Sequence, residues 1–165
     1  MGKDASRVDA YGTVDELNAL LGVVRASGVD AATDDWLGRF QVDLFVLGAE
    51  LATSPGKAGS KGRGVDRIVN EDVAELERII DQVQEGLPPL THFILPGGSP
   101  AGAALHHARV VCRRAERRAV ALAREEPVRP EAIRYLNRLS DLLFVLARRV
   151  NQAQRRPEVA WLHAR

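Results

Sequence analysis

Cysteine is almost absent from this chain: Cys112 is the only one among 165 residues. An internal disulfide and a Cys-based zinc site are thereby excluded. A reducing, cytoplasmic setting fits that scarcity. No apolar run approaches the ~18 residues that span a bilayer, so no membrane partner is expected. No basic-then-apolar signal segment opens the sequence. A Walker-type glycine loop ending in Lys-Ser/Thr is missing. So is any Glu-x-x-His pair, which argues against a di-iron bundle. His106 and His107 are adjacent, so from a helix they cannot both face one metal. Composition also rules out disordered and collagen-like classes, since 45% of residues are hydrophobic and can build a real core.

Lysine is the other scarce residue. Of 23 basic residues, 20 are arginine and 3 are lysine. The net charge of +1 hides a division: residues 1–108 carry 9 bases and 16 acids, residues 109–165 carry 14 bases and 6 acids. Arginine offers a planar fork of donors that suits phosphate and carboxylate. A local anion site in the back third is therefore expected. A nucleic-acid surface is not, because no aromatic side chain interleaves the arginines between Arg109 and Arg124 to stack on bases.

Prolines at 55, 88, 89, 96, 100, 127, 130 and 157 leave long uninterrupted stretches between them, which read as helices. The spacing predicts helices over about Thr13–Arg25, Thr33–Ala52, Asn70–Glu85, Pro100–Glu125 and Pro130–Gln152, in one domain. Leucines at helical spacing give the first, second and fifth an apolar stripe. Asn70 reads as the N-cap of the third helix; Ser99 and Pro100 read as N-cap and first residue of the fourth. The Gly-, Lys- and Ser-rich segment 54–64 reads as a mobile linker. Trp161 sits in a C-terminal tail expected to dock on the bundle. The fold class is all-α: a five-helix bundle with ferritin-like up-and-down packing.

The fourth helix carries the strongest chemical signal. Arg109, Arg113, Glu116 and Arg117 fall at i, i+4, i+7 and i+8, within an arc of about 100°. Like charges one turn apart repel, so the row needs anions: carboxylates from a neighbour or a polyphosphate. Arg114 and Arg118 rotate away and should be solvated or engaged elsewhere. On the fifth helix Asn137, Asp141 and Phe144 share a face away from the leucine stripe, with Ser140 at its edge. An aromatic on a polar face wants cover. On the first helix Asp15, Asn18 and Gly22 lie opposite the leucines; a close approach by another chain or a ligand would explain Gly22. Cys112 reads as a small packing residue, not a nucleophile.

Four runs, in order and at characteristic spacing, carry a resemblance. They are Tyr11-Gly12-Thr13-Val14-Asp15-Glu16-Leu17-Asn18, the connector Phe93 to Pro100, Cys112-Arg113-Arg114-Ala115-Glu116-Arg117-Arg118, and Tyr135-Leu136-Asn137-Arg138-Leu139-Ser140-Asp141. Together they resemble the PduO-type ATP:cob(I)alamin adenosyltransferases over about residues 2–150. The resemblance implies a five-helix bundle forming homotrimers with sites between subunits. It implies transfer of the 5′-deoxyadenosyl group of ATP to the cobalt of reduced cobalamin, releasing triphosphate.

Residue by residue, the resemblance implies ATP contacts from Lys3 and Asn137. Arg113 and Arg117 would hold the triphosphate. Glu116 would stand beside ATP and its Mg2+, and Asp15 would pair with Arg113 across the interface. Phe93 would line the cobalamin pocket and displace the lower axial ligand, with Phe144 helping to line it. Arg109 and Asp141 match supporting positions. A flavoprotein-type reductase and an adenosylcobalamin-dependent enzyme are the implied partners. Family chains usually begin with a Thr-Arg-Thr-Gly-Asp-x-Gly-like segment that wraps ATP; this sequence opens at Met1-Gly2-Lys3, just downstream of it, so either the segment is missing from the sequence as given or the chain lacks part of that ATP loop. A non-catalytic cobalamin carrier or protein-binding bundle is the alternative that such an absence favours.

Overall fold

The computed structural model describes residues 5–53 and 66–162. Five helices make up its regular structure: α1 Ser6–Ala26, α2 Ala31–Ala52, α3 Asn70–Glu85, α4 Pro100–Leu122 and α5 Pro130–Ala153. Among the described residues, β pairing is limited to one isolated antiparallel bridge, Ile94 with Ala160. No described helix is long and apolar enough to cross a membrane. Lys3 and the 54–64 linker lie outside the described residues.

The helix starts correct the sequence expectation in three places. α1 begins at Ser6 rather than Thr13. Arg7 anchors its first turn; it is 3% exposed, donates to the carbonyls of Leu51 and, at 3.0 Å, Thr53, and pairs with Glu126. That anchoring offsets the ~1 kcal/mol that Gly12 costs inside a helix. α2 begins at Ala31 because Asp30 caps it, accepting from Thr33 N at 3.1 Å and Thr33 Oγ1 at 2.7 Å. Asn70 is the first residue of α3, not its cap. Val69 holds the cap position, its N–H donating to Asp72 Oδ2 at 2.8 Å, while Asn70 accepts from Arg134 at 2.7 Å. At the other end, α4 stops at Leu122 rather than Glu125, closing through turn bonds such as Arg124 N to Ala121 O at 3.1 Å. Ser99 caps α4 as expected: its Oγ accepts from Gly102 N at 3.0 Å.

α4 packs against both α1 and α5; α2 packs on α1, and α3 on α5. Going around the bundle, the main neighbours follow the order α2, α1, α4, α5, α3. The central place of α4 follows from its small inward residues. Ala101, Ala108, Cys112, Ala115 and Ala119 are all fully buried, so two neighbours can approach its backbone closely. Cys112 Sγ donates to Leu136 O at 3.2 Å, and burial pushes its thiol far up, which suits a packing residue and not a nucleophile.

The α1–α2 seam corrects a further expectation. Asn18 is buried and forms a reciprocal pair with Gln41, each side-chain amide donating to the other's backbone carbonyl at 3.1 Å. A Cβ on Gly22 would meet Gln41 Nε2 at 3.5 Å, an ordinary contact. α2 of the same bundle covers Asn18, and no close approach at Gly22 requires a glycine there.

A second polar tie joins α2 to α5. Tyr135 is fully buried, and its hydroxyl donates to Asp43 Oδ2 at 2.8 Å. Burial raises the carboxyl of Asp43, and the Tyr135 bond opposes that shift. Tyr135→Phe should destabilise the fold by about 1 kcal/mol, the low end for an orphaned acceptor because Asp43 keeps part of its solvent contact. Urea unfolding checks this; an unchanged midpoint would mean that water replaces the phenol at no cost.

Candidate functional site

The adjacent solvent edges of α4 and α5 carry the polar rows. Two cavities open there and share Arg113. One, of about 310 Å³, is lined by Arg109 and Arg113 of α4, Arg138, Ser140, Asp141 and Phe144 of α5, and Asp81 and Gln84 of α3. The other, of about 430 Å³, is lined by Arg113, Glu116, Arg117 and Arg124. Asn137 Nδ2 donates to Glu116 Oε1 at 3.0 Å and so links the two helices beside these arginines. Asp141 is held by Arg138 at 2.7 Å within its own helix. Ser140 is buried, its hydroxyl donating to Asn137 O at 2.8 Å.

Phe144 finds the cover that an aromatic on a polar face needs. The Arg109 guanidinium lies 5.9 Å from its ring centroid, and the His106 ring meets it edge-on at 6.0 Å. Burial and then the charge of Arg109 push the His106 imidazole below its ordinary value, toward the neutral form. Its Nδ1 is buried with no hydrogen-bond partner among the described residues, as is Arg109 Nε.

The arginines divide into two classes. Arg114 pairs with Glu16, and Arg118 with Asp9 at 2.9 Å, so the two that rotate away are engaged on α1. Arg109, Arg113 and Arg117 form no ion pair with any described residue. Burial first, and then the like charge of Arg113, pull the Arg109 guanidinium down from its ordinary value. Three cations rise along about 12 Å of helix with no ion-pair partner among the described residues. Such a row has the charge and the donor geometry to hold a multiply charged anion.

Phe93 stands apart from this row. It is 79% exposed, on the connector between α3 and α4, and with Leu90, Thr91, His92 and Trp161 lines a cavity of about 490 Å³. The tail runs along the connector and is tied to the bundle at α5, where Arg148 pairs with Glu158 at 2.6 Å, so the expected docking is present, with Trp161 itself beside Phe93. Leu95 N donates to Val159 O at 2.8 Å and Trp161 N to Phe93 O at 2.7 Å. The Phe93 and Trp161 rings lie 6.3 Å apart at 56°. Within one chain, Phe144 lines the arginine cavity and not this one.

Asp15 is exposed on α1 and lines a cavity of about 400 Å³ with Tyr11, Gly12, Phe45 and Gly48. None of these cavities is lined by both Asp15 and Arg113 inside one chain. Beside it, Phe45 is 74% and Val42 64% exposed, an apolar surface that wants a partner. Among the described residues no group of three or more His, Cys, Asp or Glu could hold a metal. Glu116 is the carboxylate in the arginine row. One carboxylate completed by phosphate oxygens and water is a normal environment for Mg2+, so the residues fit a magnesium carried in by a nucleotide.

Sequence reasoning missed two α5 residues that hold the Phe93 connector. Arg148, 6% exposed, donates to Pro88 O at 2.7 Å and pairs with Glu158 of the tail at 2.6 Å. Asn151, equally buried, bonds to Gly97 and Ser99. The available signal was the pair of polar residues breaking an apolar stripe near the end of α5.

The family model for cobalamin adenosyltransferase matches residues 1–150. A corrinoid adenosyltransferase of Citrobacter freundii is 48% identical over 148 residues, covering 88% of this chain and 81% of the relative. The corrinoid adenosyltransferase PduO of the same organism is 44% identical over 90% of this chain, which spans 43% of that longer protein. Among solved structures, a Phe-to-His variant of a PduO-type ATP:corrinoid adenosyltransferase from Lactobacillus reuteri, complexed with cobalamin and ATP, superposes with TM-score 0.89 at 34% identity. That match covers 100% of this chain and 88% of the other.

Proposed function

Because the chain belongs to the cobalamin adenosyltransferase family, we propose that its arginine cavities and its Phe93 connector are the ATP half and the corrinoid half of one site. The reaction is ATP-dependent adenosylation of cobalamin. The carrying observation is the row Arg109, Arg113 and Arg117, cationic and without an ion pair among the described residues.

Co(I) is itself a strong nucleophile, so no side-chain nucleophile is needed, which agrees with the inert Cys112. Cobalt attacks C5′ of ATP; the Co–C bond forms as the C5′–O bond breaks, and triphosphate leaves with the electron pair. The protein contributes position and charge. Arg113 and Arg117 fork onto the phosphates and take up the charge of the departing group. Asn137 orients Glu116 and contacts ATP, and Lys3 adds a further contact. Glu116 would hold Mg2+ against the phosphate oxygens, where the ion supplies added positive charge to the leaving group. Phe93 occupies the lower face of the corrinoid and removes its axial ligand, because four-coordinate Co(II) accepts an electron more readily. Phe144 borders the same substrate from the ATP side, with Arg109 and Asp141 in support.

The site is completed in a homotrimer, where Asp15 pairs with the partner subunit's Arg113. The exposed Phe45 and Val42 beside Asp15 support an interface there. Asp15→Ala should weaken assembly or MgATP affinity by roughly tenfold, the scale of a lost charge-assisted hydrogen bond. Light scattering and calorimetry read the two quantities; a monomeric wild type, or a variant unchanged in both, would contradict a shared site. The working setting is cytoplasmic, with a flavoprotein-type reductase upstream and an adenosylcobalamin-dependent enzyme downstream. Calorimetric titration with MgATP tests the reading against a non-catalytic module: the enzyme binds one nucleotide per subunit, and a carrier binds none.

A further inference from the structure

Phe93 makes little contact with the bundle, being 79% exposed, so its place is set by what holds the connector's backbone. At the end nearer α4 that holder is Asn151. Its Oδ1 accepts from both Ser99 N and Ser99 Oγ at 2.9 Å, and its Nδ2 donates to Gly97 O at 2.8 Å. Ser99 Oγ in turn accepts from Gly102 N at 3.0 Å, so the hydroxyl uses its one donor and one of its two acceptor lone pairs. One buried amide thus fixes both the turn leading out of Phe93 and the cap of the helix that carries the arginine row.

Two glycines make room for that amide. A Cβ on Gly98 would lie 2.4 Å from Asn151 Nδ2, and one on Gly102 would lie 2.0 Å from Asn151 Oδ1. Gly98 also has a φ of 111°, which side-chain-bearing residues rarely adopt. One turn earlier on α5, Arg148 grips the other end of the connector at Pro88 O, 2.7 Å away. The connector is pinned at both ends to α5, and Asn151 is the pin shared with α4.

We propose that Asn151 is a positioning residue for the reaction: by tying Gly97 and Ser99 to α5, it sets Phe93 in register with Arg109, Arg113 and Arg117. The inference rests on the reading of Phe93 as the residue that removes the axial ligand. It assigns to Asn151 no contact with either substrate.

The experiment compares wild type, Asn151→Ala, Asn151→Asp, Gly98→Ala and Phe93→Ala, each checked for helical content and MgATP affinity. Asn151→Asp keeps the acceptor for Ser99 but sets an oxygen against Gly97 O. Gly98→Ala pushes the amide aside while leaving it intact, so the test survives if one variant fails to fold. The readout is the four-coordinate Co(II) spectrum with MgATP and Co(II) cobalamin, with turnover started from Co(II) and from pre-formed Co(I). In the Asn151 and Gly98 variants the four-coordinate fraction and Co(II) turnover should drop roughly tenfold, the scale of one lost buried hydrogen bond. Turnover from Co(I) should fall less, and MgATP affinity should hold. An undiminished four-coordinate species in Asn151→Ala, or equal losses from Co(II) and Co(I), overturns the positioning role. If Phe93→Ala itself keeps the four-coordinate species, the reading of Phe93 fails first, and the inference falls with it.

Discussion

Arg117→Ala is expected to lose turnover by roughly two to three orders of magnitude, the cost of removing one preorganised donor to a developing anion. Helical content should stay at the wild-type level. Arg117 is exposed, lines the 430 Å³ cavity, and has no ion-pair partner among the described residues. Its removal therefore breaks no tie within the fold, and the loss reports on the bound anion. Arg117→Lys should recover only part of the rate, since a point charge does not reproduce the guanidinium fork. Arg118→Ala is the control. It is paired with Asp9 at 2.9 Å on the α1 side, and a surface pair of this kind contributes only ~0–1 kcal/mol. Wild-type rates in Arg117→Ala with chemically reduced cobalamin would remove the phosphate assignment.

Phe93→Ala should lower turnover from Co(II) by roughly a hundredfold, about 2.7 kcal/mol of barrier, and turnover from pre-formed Co(I) by much less. The asymmetry is the informative part. If the ring removes the axial ligand, its loss leaves Co(II) hard to reduce but spares the later attack on C5′. Stability should not change, because the side chain is 79% exposed and its deletion opens no cavity in the core. Equal losses in the two assays would mean that Phe93 only helps to bind the corrinoid.

The helices were legible because prolines and leucine periodicity mark them locally; the start of α1 was misplaced because distant partners set it, whereas the α2 start rests on the local cap Asp30. Nothing near Thr13 signals that α1 starts at Ser6, since the anchor is Arg7 reaching Leu51, Thr53 and Glu126. The arginine row was legible for the opposite reason. Helical spacing alone sends Arg109, Arg113 and Arg117 one way and Arg114 and Arg118 another, and the latter two do pair on α1. The place of Asn18 in the α1–α2 seam was not legible, because its reciprocal bond with Gln41 exists only once α2 folds back. The tail's path along the connector was also illegible, since the bridge of Ile94 with Ala160 joins segments far apart in sequence. Asn151 went unseen because its partners are backbone atoms of Gly97 and Ser99, which no side-chain pattern announces.

The most direct test of the account is the product of the reaction. Wild-type protein incubated anaerobically with MgATP and chemically reduced cobalamin should yield adenosylcobalamin and triphosphate in equal amounts. Their appearance can be followed by the change in corrinoid spectrum and by phosphate chromatography. Release of ADP and orthophosphate without a cobalt–carbon bond, or no consumption of ATP at all, would contradict it.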